Sequence, residues 1–174
     1  HFVRQYLEGK YGPSDSVSPY TASVFYALDR YEAASDILQA LKEGKVVLSD
    51  RYAGANMAHQ GAKFTNISEQ RGFFLWAEGL EYQQLGIPRP NLNIYLKMPA
   101  SISRQLINRR SQASGTKLDE HEKSADHLEK AIGAYDLLCG LFPKDFKAIE
   151  CAKNGEILSV IEINDLIWEA IRPL

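Results

Sequence analysis

Apolar positions recur along this chain in two patterns. Three short aliphatic or β-branched runs, Lys45–Ser49, Leu92–Met98 and Phe146–Ala152, are bounded by turn or helix signals and suit strands covered on both faces. For runs this short, periodicity alone also admits buried helix. Long helical patterns separate them. One spans Pro19–Leu41, with Val24, Leu28, Ile37 and Leu41 as apolar positions and Gly44 after its end. A second covers Ser68–Leu85 and stops at the Gly86-Ile87-Pro88 turn, a third runs from Asp119 to Leu141, and a last occupies Leu158–Ile171. The chain opens at His1 already inside a helical pattern. Strands alternating with helices predict βαβ units, hence an α/β fold with a mostly parallel sheet flanked by helices. A length of 174 residues suits a single domain over residues 1–174.

Composition narrows the function classes. Twenty basic against twenty-two acidic residues leave a net charge of −2, so the global basic field that nucleic-acid binding uses is absent, although a local basic patch stays open. No apolar run approaches the ~18 residues of a membrane span, and no signal peptide is visible. Cys139 and Cys151 lie in apolar stretches without CxxC or Cys/His spacing, which favours free buried thiols in a reducing compartment over a disulfide. His121 and His127 form no HExxH or other metal spacing.

In an open α/β sheet, ligands bind beyond the carboxyl ends of the strands, which directs attention to the residues after Ser49 and after Met98. Asp50-Arg51 follows the first of these. Arg51 presents a planar fork of donors that matches two phosphate oxygens, and Asp50 is able to hold Mg²⁺ through water or to position a hydroxyl. The same two residues also read as a salt-bridged pair closing a strand. Tyr26 and Arg30 stand four apart on the first long helix and project from one face, where a ring and a guanidinium suit a base and its exocyclic oxygen. Core packing for Tyr26 and an ion pair of Arg30 with Asp29 or Glu32 is the plainer reading. Asn56 and Gln60, again four apart, carry amides able to read a base edge, and His59 lies between them; His59 fits a simple surface histidine equally well. After the second strand come Arg104, Arg109 and Arg110, and Asn108–Lys117 is basic, polar and contains Gly115. Such a segment suits a mobile lid closing over phosphates, or a plain solvated connection. Asp119 followed by Glu122 reads as a helix-starting cap.

Taken in order, these pieces resemble the thymidylate kinase family. Tyr26-Ala-Leu-Asp-Arg30 is similar to that family's FALDR-type nucleotide-binding helix, and Val47-Leu-Ser-Asp-Arg-Tyr52 to its strand ending in DRY. Gln60-Gly61-Ala62-Lys63, Leu80-Glu81, Leu85-Gly-Ile-Pro-Arg-Pro90 (compare LGLPKPD) and Asp119-Glu-His-Glu122 continue the series across nearly the whole chain. The family has Phe where Tyr26 stands and an aromatic residue where His59 stands.

The resemblance implies a P-loop-type kinase with a three-layer parallel sheet, transferring the γ-phosphoryl group of ATP to thymidine 5′-monophosphate with Mg²⁺, in a cytoplasmic homodimer without nucleic-acid or membrane partners. Carried over by position, Tyr26 stacks on thymine and Arg30 contacts the base. Arg51 holds the monophosphate, and Asp50 sits at the metal and acceptor side. Asn56, His59 and Gln60 line the base and sugar pocket, and Arg109 and Arg110 belong to a lid at about residues 108–118 over ATP. Nothing in the chain matches GxxxxGK(S/T), the loop whose amides and Lys hold the ATP phosphates. The resemblance therefore implies an upstream strand-loop-helix and a further strand, on the order of 40 residues, before His1. Two other readings stay open: a kinase for another nucleotide or deoxynucleoside, and a non-catalytic nucleotide-binding or dimer module.

Overall fold

Twenty-four residues of unbroken helix, α2 (Pro19–Lys42), organise the first half of the chain. Its start is set by Ser18, whose side chain accepts from the Tyr20 N–H at 3.3 Å, and by Pro19, whose missing N–H costs nothing at that position. Just beyond its end Gly44 takes φ +74°, a left-handed conformation that favours glycine. The structure is a computed structural model describing residues 1–13, 16–114 and 125–173, and it divides into two compact units, His1–Arg89 and Pro90–Leu174.

In the first unit α1 (Phe2–Leu7) and α2 precede α3 (Ala53–Gly61) and α4 (Ile67–Glu78), and α4 runs on into a π-helical turn, Gly79–Gln84. The buried face of α2 is made of small residues, Ala22, Ser23, Ala27 and Ala34, and α3 answers with Ala53, Gly54, Ala58 and Gly61. Small residues on both sides let the two helix axes approach closely. At Gly61 a Cβ would lie 2.4 Å from the Phe74 ring, so α3 and α4 meet through a glycine for the same reason. Tyr20 packs edge-on against Phe73 and Trp76, at 5.4 and 4.7 Å between ring centroids, and these rings close the core beside α2. Tyr6, Val17 and Ala22 form a second cluster, with Phe25 and Tyr26 packed on it.

The second unit carries β1 (Asn93–Lys97), α5 (Ala100–Ser114), α6 (Ala125–Leu141), β2 (Phe146–Glu150), a short hairpin of β3 (Ala152–Lys153) and β4 (Glu156–Ile157), and α7 (Val160–Ile171). β1 and β2 are parallel, with Asn93 opposite Phe146 and Lys97 opposite Glu150. Parallel strands need a long crossover, and α5 and α6 lie in it. Ala131, Ala134 and Leu138 put the buried stripe of α6 at helical spacing, and Tyr95 of β1 stacks on Tyr135 at 4.5 Å. Ser159 and Glu162 cap α7 reciprocally, and their hydrogen bonds hold the Glu162 carboxyl below its ordinary range. Among the described residues no helix is long and apolar enough to cross a membrane.

The expected parallel strands at Leu92–Met98 and Phe146–Ala152 are present, each shorter than expected. The second stops at Glu150 because Asn154 (φ +54°) and Gly155 (φ +83°) fold the next residues into a two-residue hairpin turn, a signal present in the sequence as Asn-Gly. Lys45–Ser49 is a correction: it forms no strand, and Val46 and Leu48 are 96 % and 95 % exposed. A strand exists only through a hydrogen-bonded partner, and among the described residues this segment has none. The basic stretch expected as a lid is helical as far as Ser114, the end of α5, while its remainder and the Asp119/Glu122 cap lie outside the described residues. Both cysteines are free, Cys151 buried and Cys139 half-buried.

Candidate functional site

Burying an ion takes several kcal/mol out of its solvation, so a buried charge persists only with an opposite charge held in good geometry. Glu81 is 1 % exposed, and the Arg30 side chain, at 13 %, forks onto it: Arg30 Nε donates to Glu81 Oε2 at 2.8 Å and Arg30 Nη2 to Glu81 Oε1. This corrects the plainer reading of Arg30, since Asp29 and Glu32 are both exposed and the partner comes from fifty-one residues away. The continuation of α4 delivers it, since Glu81 follows the buried Phe74 and Ala77 by seven and four residues on one helical stripe. Around it the Leu85 N–H reaches back to Leu80 O at 3.0 Å, one residue further than in an α-helix. Tyr52 closes the other side, its ring centroid 5.9 Å from the Arg30 guanidinium carbon and its hydroxyl donating to Pro88 O at 3.0 Å. Burial holds the phenols of Tyr52 and, more strongly, Tyr82 above their usual range, so both stay neutral beside the pair.

Two turns back along α2, Ser23 Oγ donates to Asn56 Oδ1 of α3 at 3.4 Å. Ser23 and Arg30 thus share the face of α2 that meets Asn56 and Tyr52, and the two helices run antiparallel past one another with Ala27 and Ala53 buried there. On this face two polar atoms are left over. Asn56 Nδ2 and Gln60 Oε1 are buried and find no hydrogen-bond partner among the described residues. Each such orphan costs about 1–3 kcal/mol unless something supplies the missing bond. One is a donor and the other an acceptor, four residues apart on one helix. Tyr26 is half-buried and meets the Tyr6 ring edge-on at 6.1 Å; His59 is half-buried.

Asp50 and Arg51 are exposed just ahead of α3. Arg51 has φ +64°, a left-handed conformation that side chains other than glycine rarely adopt, and Ser49 Oγ donates to its carbonyl at 2.9 Å. Strain of this kind costs about 1–3 kcal/mol and concentrates where a side chain must be aimed. Among the described residues no group of three or more His, Cys, Asp or Glu gathers to hold a metal ion. Asp50 alone still fits Mg²⁺, which keeps most of its waters and needs only one or two carboxylates when phosphates supply the rest. The structure therefore brings Tyr26, Arg30, Asn56, His59 and Gln60 onto neighbouring helices of the first unit, with Asp50 and Arg51 at the head of α3. Arg109 and Arg110 are exposed on α5 of the second unit.

Glu81 was not among the site residues expected from the sequence. Its signal was an acidic side chain inside an apolar helical stretch that ends at Leu85, a position that demands a buried cation. The π register of the turn around it has no such signature.

The fold is of the α/β class, with parallel strands joined through helices. Within that class the chain belongs to the thymidylate kinase family, whose model matches residues 1–159. It is 34% identical over 152 residues to the thymidylate kinase of Staphylococcus epidermidis, covering 85% of this chain and 68% of that protein. With the thymidylate kinase of Clavibacter michiganensis it shares 31% over 144 residues (80% and 63%), and with that of Mycobacterium tuberculosis 29% over 129 residues (74% and 59%). The chain spans about three-fifths of the length of the last two relatives, at 63% and 59%.

The strain at Arg51 makes one prediction. Arg51→Gly relaxes the left-handed turn and raises the unfolding free energy by about 1 kcal/mol in urea denaturation; an unchanged or lower value means that the turn stores no strain.

Proposed function

We propose that this protein is a nucleoside monophosphate kinase that transfers the γ-phosphoryl group of ATP to thymidine 5′-monophosphate, giving ADP and the diphosphate. The observation that carries the reading is the pair of buried, unpartnered amide atoms on α3, the helix whose leading Tyr52 flanks the Arg30 guanidinium. A thymine edge offers a carbonyl acceptor and an imide N–H donor, which complements an amide N–H and an amide oxygen. Tyr26 supplies the stacking ring, Arg30 donates to the base carbonyl and His59 faces the sugar. Arg51 forks onto the monophosphate, whose oxygen attacks the γ-phosphorus as the bond to the β,γ-bridging oxygen breaks. Little covalent chemistry is asked of the protein; positioning and charge neutralisation do the catalysis. Asp50 would hold Mg²⁺ through water, and the ion, when bound, offsets phosphate charge. Arg109 and Arg110 serve the ATP side. The family match crosses from the first unit into the second, which supports reading residues 1–174 as one functional domain with a lid at about 108–118.

A homodimer belongs to the same proposal. Val24, Leu28, Tyr31 and Leu38 of α2 are exposed apolar residues spaced four, three and seven apart, the spacing of a helix-pairing seam. These four large apolar residues of α2 thus face outward while its small ones are buried, and a second copy presenting the same seam would cover them. The free thiols support a reducing, cytoplasmic setting.

The test is turnover of the purified protein with ATP and thymidine, deoxyuridine, deoxycytidine and deoxyguanosine monophosphates. Thymidylate is the preferred acceptor, and Arg51→Ala lowers kcat/KM by on the order of 10²–10³ while the circular dichroism spectrum is kept. Equal use of deoxycytidylate, or near-normal turnover of Arg51→Ala, contradicts the assignment. For the dimer, sedimentation gives twice the chain mass for the protein and a monomer for Leu28→Glu/Leu38→Glu; a wild-type monomer at micromolar concentration rules the seam out.

A further inference from the structure

We infer that Glu81 is a positioning residue for base selection: it aims the Arg30 fork and cancels its charge, so that Arg30 selects a ring carbonyl over a ring amino group. This rests on the proposed role of Arg30 at the base. A guanidinium has five N–H donors in one plane. Glu81 takes Nε–H and one Nη2–H, which leaves three donors on the far edge and holds the plane that carries them. Tyr52, beside the guanidinium and tied to Pro88, narrows its movement further. The carboxylate also changes what Arg30 prefers to bind. The buried ion pair carries no net charge, so it offers direction to a neutral acceptor and little attraction to an anion. Arg51 is the opposite case: exposed and without an ion pair among the described residues, it keeps its full charge for a phosphate. Two arginines of one unit are thereby separated into a reader of carbonyls and a binder of phosphate by a single acidic residue. A ring bearing an amino group where thymine has its carbonyl would meet the fixed donors of Arg30 with donors of its own.

The experiment measures binding of thymidine monophosphate and deoxycytidine monophosphate by calorimetry, with thermal melting of the nucleotide-free protein alongside. Wild type, Glu81→Gln and Arg30→Met/Glu81→Leu are compared, the last refilling the site with apolar side chains that keep the fold. Glu81→Gln weakens thymidylate binding by about tenfold, leaves deoxycytidylate binding unchanged, and so shows most of the loss of preference of the double variant. If Glu81→Gln does not fold, Glu81→Asp, a methylene short of the fork, is read in the same way. Retention of the wild-type preference by Glu81→Gln while the double variant loses it shows that Arg30 reads the base unaided, and overturns the inference alone. An equal loss for both nucleotides marks Glu81 as structural and also overturns it. A wild-type protein without preference for thymidylate removes the base reading itself, and this inference with it.

Discussion

A guanidinium and a carboxylate buried together decide how the first unit must be built. Leaving either one alone would strand an uncompensated charge at a cost of roughly 3–5 kcal/mol, so Arg30 on α2 and Glu81 on the π turn are bound to meet. Meeting requires that α4 run on past Ala77, because Phe74, Ala77 and position 81 lie on one helical stripe that faces inward. It also requires α3 close by, since Tyr52 at its head flanks the pair, and the small residues on the facing sides of α2 and α3 permit that approach.

The same constraint explains why polar groups are distributed as they are. Arg30 is satisfied within the protein on one edge, Asn56 is half satisfied through Ser23, and Gln60 keeps an unpaired acceptor. A fold selected for stability alone would pair these atoms or replace them with apolar ones. The unpaired donor and acceptor sit where the family resemblance expects a base, and the strained backbone at Arg51 sits where it expects a phosphate. These are separate physical costs at separate residues, and one nucleotide would account for both.

Much of this was legible from residue order. The apolar runs at Leu92–Met98 and Phe146–Ala152 and the cap-to-glycine frame of α2 follow from local rules that tertiary contacts did not override. Tyr26, Arg30, Asn56 and Gln60 announced shared helix faces through their spacing of four. What escaped was non-local. α3 is rich in Ala and Gly, so its helical period is faint, and Lys45–Ser49 has strand composition but no strand beside it among the described residues. The partner of Arg30 lay far along the chain while acidic neighbours stood within two residues, and burial chose the distant one.

The central claim is that the two orphaned amide atoms await a base edge. The most direct measurement is a nuclear magnetic resonance titration of ¹⁵N-labelled protein with thymidine monophosphate, following the side-chain amides of Asn56 and Gln60 assigned through Asn56→Asp and Gln60→Glu. The account predicts that the Asn56 amide protons shift downfield and gain protection from exchange with water as the nucleotide saturates, with the Gln60 signals moving in step. Saturable binding that leaves both side chains unmoved would contradict it.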